Sequence, residues 1–416
     1  METKRVVVTG MGALTPLGNT INEYWEGLIN GVSGADMITL FDASKFKTRF
    51  ACEIKGFDPV AFLDRKEARK VDRFTQIALV ASDQAVKDAG ISKENIDVDR
   101  VGVVLGSGIG GLITFQEEVI NFAKGDGTPR FNPFFIPKMI LDIAAGQISM
   151  RHGLRGPNFA VVSACASSTN AMMEAANLIK LGKADIILTG GAEAVVSEAG
   201  VGGFNAMKAL SERNDSPKTA SRPYDKDRDG FVMGEAAGVV VFEELEHARK
   251  RGAKIYCEVA GAGATADAHH LTAPHPEGLG ARNVMIAALK DAGMQPTDID
   301  YINTHGTATP LGDGAEIKAI VEVFGEHSKK LNISSTKSMT GHCLGAAGVI
   351  EGIACIQAVV NDLIPPTINH FTDDPNLPDL NYTFTTAQKR TVRAALSNTF
   401  GFGGHNACVI VKKFAD

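Results

Sequence analysis

The chain has no surplus of positive charge. Its 416 residues carry 42 Lys and Arg against 48 Asp and Glu, a net charge of −6. General nucleic-acid binding draws on basic surface and counterion release, so that class of function is set aside. Cysteine pairs at metal or redox spacing are missing as well. The six cysteines, at 52, 165, 257, 343, 355 and 408, form no CxxC and no zinc pattern. A reduced, cytoplasmic protein with mostly buried thiols is expected. The N-terminal METKRVVVTGMG lacks the apolar core of a signal peptide. No apolar run approaches the roughly 20 residues of a bilayer span, so no membrane insertion is expected. No linker or low-complexity tract divides the chain.

What is present is glycine and a layered pattern. The 44 glycines exceed the usual share, so many turns bring backbone close to backbone or to a ligand. Hydrophobic residues at 44% and charged residues at 22% suit a globular chain with a large core. Short apolar runs alternate with helix-like tracts, which predicts an α/β fold. Strands are expected at 4–9, 101–105, 159–163, 185–189, 238–242, 255–260, 299–303, 331–335, 393–397 and 407–411. Helices are expected at 73–89, 167–181, 281–292, 314–324 and 346–360. The stretch 124–138, KGDGTPRFNPFFIPK, has three prolines and two glycines and reads as an irregular insertion. A faint duplication runs through the chain: 5–12 resembles 254–263, 101–111 resembles 299–312, 159–181 resembles 331–360, and 185–194 resembles 393–404. Four pairs in the same order predict two similar α/β halves, 1–255 and 256–416.

One cysteine stands apart from the other five. In VVSACASSTN, residues 161–170, a strand runs into a helix with Cys165 at the junction and alanine on either side. Free N–H groups at a helix start favour thiolate, and the small neighbours leave sulfur open to a substrate. The arrangement parallels the strand–turn–helix elbow of serine hydrolases. A buried cysteine used as a small hydrophobe is the bland alternative. Two histidines occupy comparable strand ends, His305 in NTHGTATPLGD and His342 in STKSMTGHCLGAAG. Ligand sites of α/β sheets collect there, so Cys165, His305 and His342 can converge. A fourth strand end, SNTFGFGGHN, exposes backbone around Phe402.

These segments, with RPYDKDRDGFVMGEAAG, resemble in order the β-ketoacyl-acyl carrier protein synthases, decarboxylating condensing enzymes of the thiolase superfamily. Within that family the chain is similar to the elongating type of bacterial fatty acid synthesis. The resemblance covers nearly the whole chain. It implies a thiolase-like fold, two α/β halves layered α-β-α-β-α. It implies an acyl chain carried as a thioester on Cys165, with the amides of Cys165 and Phe402 as oxyanion hole and Phe402 as a gate. It implies that His305 and His342 stabilise the enolate left when a malonyl-carrier loses carbon dioxide. Lys337 and Glu351 are implied as a supporting ion pair, with Asp313 in the same network. Glu351 sits in AAGVIEGIACI, where a buried carboxylate needs a partner. Thr307 and Thr309, alternating on an extended segment, and Thr272 are implied contacts to the phosphopantetheine arm. No separate cofactor or metal is expected.

The carrier of this family is acidic, so a local basic patch is required. Lys66, Arg69 and Lys70 fall at i, i+3 and i+4, one face of a helix, and Lys208 and Arg130 are additions. A homodimer is carried over from the family. His269, His270 and His275 match no metal-ligand spacing. The rival from another class is a dinucleotide-binding oxidoreductase, since Gly106, Gly108 and Gly111 form GxGxxG after a strand. The acidic residue that motif wants falls on Asp126, in a turn rather than at a strand end. A catalytically silent subunit is disfavoured because Cys165, His305 and His342 are all present. A polyketide ketosynthase of the same fold is the alternative within the family.

Overall fold

The computed structural model describes residues 3–415. Ten strands form its main sheet: β1 (Val6–Leu14), β2 (Val101–Gly106), β3 (Asn158–Val161), β4 (Ile186–Glu193) and β5 (Ala236–Glu244), then β6 (Cys257–Ala266), β7 (Tyr301–Asn303), β8 (Asn332–Ser334), β9 (Ala394–Gly401) and β10 (His405–Lys412). The spatial order is β8-β7-β9-β10-β6-β1-β5-β4-β2-β3. Outward from the middle, each half reads first, fifth, fourth, second, third strand. In each half the outer three strands are parallel and the other pairings antiparallel. The halves join through β1 and β6, where Val7 faces Glu258 and Val8 faces Cys257. All ten expected strands are in this sheet. The four resembling pairs of segments occupy equivalent places in the two halves.

Helices cover both faces of each half-sheet. The ones that matter here are α1 (Arg73–Asp88), α2 (Leu112–Lys124), α3 (Ile143–His152), α4 (Ser167–Lys180), α5 (Leu279–Ala292), α6 (Gly312–Phe324) and α7 (Ala347–Asn361). α1 and α3 lie on the outer side of the first half, and α5 on that of the second with α6 against it. α4 and α7 touch strands of both halves and each other, which makes the central layer. Their crossing is close because small residues meet there. A Cβ on Gly348 would lie 2.0 Å from Thr169 Oγ1, and one on Gly352 would lie 3.2 Å from Met172 Cε.

Burial on every side explains why α7 is so apolar. The stretch Leu344–Asn361 is long and apolar enough to cross a membrane by length and composition, which corrects the expectation that no run comes near that length. It is 89% buried inside the protein. A second correction concerns 124–138: part of it, Phe135–Met139, is a turn of helix. Helices α2 and α3 are not among the expected ones; α2 does carry an apolar stripe, with Phe115, Val119, Ile120 and Phe122 exposed on it.

The parallel strands deliver their carboxyl ends to a common edge. Cys165 follows β3, His305 follows β7, His342 lies beyond β8 and Phe402 follows β9. The seat of α4 is fixed by Gly106, at the end of β2. A Cβ there would lie 2.3 Å from Ser167 C and 2.4 Å from Ser168 N. Gly106→Ala should therefore cost about 1–3 kcal/mol of stability through overpacking. Urea unfolding measures it, and an unchanged midpoint would show that α4 is not pressed against β2.

Candidate active site

Cys165 sits in a one-turn 3₁₀ segment, Ala164–Ala166, that leads directly into α4. Ala164 has φ 51°, a left-handed conformation that a larger side chain adopts only at a cost. Local hydrogen bonds hold the turn. Ser167 Oγ donates to Ala164 O at 2.6 Å and accepts from Ser163 N at 2.9 Å. Asn170 Nδ2 donates to Ser163 Oγ at 2.7 Å. The thiol is 8% exposed and faces a cavity of about 520 Å³. That cavity is lined also by His305, His342, Thr272, Thr307, Thr309 and Phe402. The structure thus brings the three residues of the expected constellation together.

His342 Nε2 lies 3.0 Å from Cys165 Sγ. The His305 ring stands perpendicular to that of His342, with centroids 5.2 Å apart. Neither Nδ1 has a hydrogen-bond partner among the described residues, so packing places the rings. Phe231 meets His342 edge-on at 5.3 Å, and Phe400 lies 5.5 Å from His305. Burial, with the Lys337 charge nearby, holds both imidazoles well below their usual pKa. Both are neutral at ordinary pH. Lys337 is itself buried and ion-paired with Glu351. Burial pushes the Glu351 carboxyl up to about 7, against the pull of Lys337.

The thiol departs from the sequence reading. Burial pushes it up to about 12, with Lys337 pulling down and Glu193 and Glu351 pushing further up. Desolvation outweighs the helix start, so the resting sulfur is protonated.

Other residues of the reading fall into place or are corrected. Asp313 does not belong to the Lys337–Glu351 pair. It accepts from Tyr224 N at 3.0 Å and lies 3.7 Å from Arg228 Nε. Because it also takes Thr309 N at 3.4 Å, it braces the loop after His305. Thr307 Oγ1 and Thr309 Oγ1 are 3.1 Å apart and share a face, as alternation implied. Lys66, Arg69 and Lys70 are all exposed but do not share a helix face. The helix there is only Arg65–Ala68, with Arg69 as its cap and Lys70 beyond it. Lys208 is exposed beside the cavity, and Arg130 is exposed and 3.6 Å from Asp126. The Nδ1 atoms of His270 and His275 accept main-chain hydrogen bonds. Among the described residues no group of three His, Cys, Asp or Glu is placed to hold a metal ion.

Two carboxylates at the site were missed. Glu316 accepts from His305 N and Gly306 N, both at 2.9 Å, and from Asn398 Nδ2 at 3.2 Å. Glu193, at the end of β4, accepts from the GxGxxG loop. Gly108 N at 2.7 Å, Ile109 N at 3.1 Å and Gly110 N at 2.9 Å all donate to it. Those amides are the ones a dinucleotide pyrophosphate would need, so that rival reading loses its site. The available signal was a lone carboxylate in the apolar strand IILTGGAEAVV, the same argument that picked out Glu351.

A protonated, buried thiol has a clear kinetic signature. Thiolate below its pKa rises with pH, so alkylation of Cys165 should speed up about tenfold per pH unit from about pH 7 to about pH 10 without levelling. Iodoacetamide labelling followed by peptide mass measures it. A plateau below about pH 8 would show that the thiolate is stabilised after all.

Comparison with known proteins agrees over the whole chain. Residues 3–248 match the family described as Beta-ketoacyl synthase, N-terminal domain, and residues 256–371 match Beta-ketoacyl synthase, C-terminal domain. A 3-oxoacyl-[acyl-carrier-protein] synthase 2 of Synechocystis is 48% identical, covering 100% of this chain and 99% of the relative. One of Staphylococcus aureus is 49% identical over 99% of each. Among solved structures, a β-ketoacyl synthase from Burkholderia phymatum superposes with a TM-score of 0.91 at 35% identity, covering 99% of this chain and 100% of that one. A type II polyketide ketosynthase in complex with its acyl-carrier protein gives 0.90 at 31%, with the same coverage. The chain, thiolase-like in fold and built around Cys165, His305 and His342, belongs to the β-ketoacyl synthase family.

Proposed function

We propose that this protein condenses an acyl group, held as a thioester on Cys165, with malonyl-acyl carrier protein to give 3-oxoacyl-acyl carrier protein in fatty acid chain elongation. The observation that carries it is the meeting of Cys165, His342 and His305 in one cavity, in a chain 48–49% identical to relatives named for this reaction. In the first half-reaction the sulfur attacks the acyl thioester carbonyl. Its proton passes to His342 Nε2 and then to the departing carrier thiol. The amides of Cys165 and Phe402 receive the oxyanion. Gly401 keeps this place open, because a Cβ on it would lie 3.2 Å from Cys165 N.

In the second half-reaction the malonyl carboxylate leaves as carbon dioxide and its electron pair moves to the thioester oxygen. His305 donates N–H to that enolate oxygen, and His342 does the same in the neutral tautomer that carries its proton on Nε2 rather than Nδ1. The enolate carbon attacks the Cys165 thioester, the tetrahedral intermediate expels the thiolate, and the thiolate takes up a proton from solvent, the one proton the decarboxylation consumes. No external base and no separate cofactor enter. Phe402, beside Phe204 at 6.4 Å, is the gate that admits malonyl substrate only after acylation. Gly403 at φ 90° and Gly404 at φ 76° make its turn. The type II polyketide ketosynthase is 31% identical, against 48–49% for the relatives named 3-oxoacyl-[acyl-carrier-protein] synthase 2, so the polyketide reading is not better supported.

The partners of this reading are an acyl carrier protein and a second copy of the chain, in the cytoplasm. The free edge of the sheet at β3, with Phe159 and Val162 exposed, suits a homodimer contact. The carrier would dock on Lys66, Arg69 and Lys70, with Lys208 at the cavity and Arg130 as additions. Two acidic neighbours already have partners: Asp64 caps the short helix and Glu67 pairs with Arg151 at 2.9 Å. Thr272, Thr307 and Thr309 would line the path of the phosphopantetheine arm.

Carbon dioxide release separates the roles. His305→Ala and His342→Ala should each slow malonyl-carrier decarboxylation about 10²–10³-fold, the usual loss of one oxyanion donor. Phe402→Ala, in contrast, should decarboxylate without prior acylation more readily than the parent protein. Undiminished decarboxylation in both histidine variants would sink the mechanism. Reversing Lys66, Arg69 and Lys70 to Glu should raise KM for carrier-bound substrates and leave turnover of pantetheine thioesters nearly unchanged. The parent protein's advantage should shrink as salt rises. Equal losses on both substrates would mean a folding defect.

A further inference from the structure

Glu193 is the most heavily hydrogen-bonded buried carboxylate near the nucleophile, and the reaction as written makes no use of it. Its side chain is fully buried at the end of β4. Beyond the amides of residues 108–110, it accepts Ser107 Oγ at 3.0 Å and Gly345 N at 3.1 Å. Ser107 to Gly110 follow β2 in the first half; Gly345 belongs to the second. One carboxylate therefore ties together two loops that β-sheet pairing does not join.

Both loops bear on the reacting atoms. A Cβ on Gly108 would lie 3.2 Å from Ala164 O, so the first loop rests on the turn that presents Cys165. The second loop is the turn after His342. The two turns are counterparts in the duplicated fold. Ala164 at φ 51° opens a 3₁₀ turn into α4, and Leu344 at φ 48° opens a 3₁₀ turn into α7. Gly345 thus occupies in the second half the position that Cys165 occupies in the first. At the ends of the equivalent strands stand Glu193 and Gly401. Gly401 has no side chain, and its place beside Cys165 N stays open. Glu193 fills the corresponding place and takes Gly345 N.

We propose that Glu193 is a positioning residue: it clamps the Cys165 turn to the His342 turn and so sets the 3.0 Å spacing of sulfur and Nε2. The close fit agrees. A Cβ on Gly345 would lie 2.5 Å from Glu193 Oε2 and 2.3 Å from Gly108 N, so the clamp leaves no room for another side chain. A carboxylate is required, because only acceptors face the five N–H and O–H donors. A glutamine would turn an NH₂ onto some of them. An aspartate would keep the charge and lose the reach to one loop.

The inference rests on Cys165 and His342 acting as proposed above, and the test keeps the two apart. Glu193→Gln, Glu193→Asp and Ser107→Ala are compared with the parent protein in acyl transfer to Cys165 and in condensation, with thermal midpoints measured alongside. Misplacement of a reacting group by about 1 Å costs about 100-fold, so kcat should fall about that much in Glu193→Gln and Glu193→Asp with KM for the carrier unchanged. Ser107→Ala removes one donor only, the mildest of the three changes, and is expected to fold where the first two do not. It should lower kcat a few-fold, again at constant KM. Full activity in Glu193→Asp, with loss only in Glu193→Gln, would replace the clamp by a charge effect and overturn it. Unchanged kcat in Ser107→Ala, or a fall in kcat no larger than the loss of folded protein, would overturn it too. No condensation product from the parent protein would instead refute the proposed function.

Discussion

Between Cys165 Sγ and His342 Nε2 lie 3.0 Å of space and 177 positions of chain, and charged groups buried out of water surround that contact. Lys337 is the fixed positive charge among them. Removing an ammonium from water costs several kcal/mol, and Glu351 at the other end of the ion pair offsets it. Truncating one partner would leave the other stranded, which is more damaging than losing both. What the charge does for the site is keep a second positive charge away. Burial and Lys337 together hold His305 and His342 neutral, and a neutral imidazole can donate to an enolate without losing its own proton. A protonated pair side by side in that space would repel.

The duplicated fold sets where these groups stand, and small departures from symmetry set what they do. Each half has the same strand order and the same turn into a central helix. One turn carries Cys165 with an open amide; the other carries Gly345 with its amide taken by Glu193. The loop after β2 wraps the Glu193 carboxylate, and the loop after β7 presents its amides to Glu316 while its side chain, His305, enters the cavity. Chemistry arises where one copy of a shared frame left a position empty or changed a side chain.

Much of this was legible in the sequence because it is local. The ten sheet strands follow from short apolar runs between turn residues. Cys165, His305 and His342 stand out because each breaks a strand-end turn of glycine, alanine or threonine. What was not legible depends on distance. The thiol was read as favouring thiolate from its helix start, but burial by residues from both halves decides the matter and no window around 165 contains them. Glu193 and Glu316 bind main-chain amides, which leave no side-chain pattern, and only the isolation of Glu193 in an apolar strand marks either of them. The basic face at 66–70 was read from i, i+3, i+4 spacing, which presumes a helix longer than Arg65–Ala68. The apolar length of 344–361 was hidden by Glu351 in its middle, a charge that only the buried Lys337 explains.

Burial of the thiol looks like a defect in a nucleophile, yet in the reaction proposed it shapes both half-reactions. Desolvation penalises the thiolate, while the thiol and the thioester are both uncharged, so Cys165 rests in an uncharged form before and after acylation. Ile109, Phe204, Phe231 and Leu344 line that cavity and suit an acyl chain. When the enolate carbon displaces the sulfur, the thiolate re-forms where its pKa is about 12 and takes up a proton at once. Return of that sulfur to the 3-oxo thioester would need the same deprotonation that the first attack needs. Carbon dioxide has already left. The same burial slows attack by the thiol in either direction and makes His342 Nε2 at 3.0 Å necessary for it, so the loss of carbon dioxide is what holds the product on the forward side.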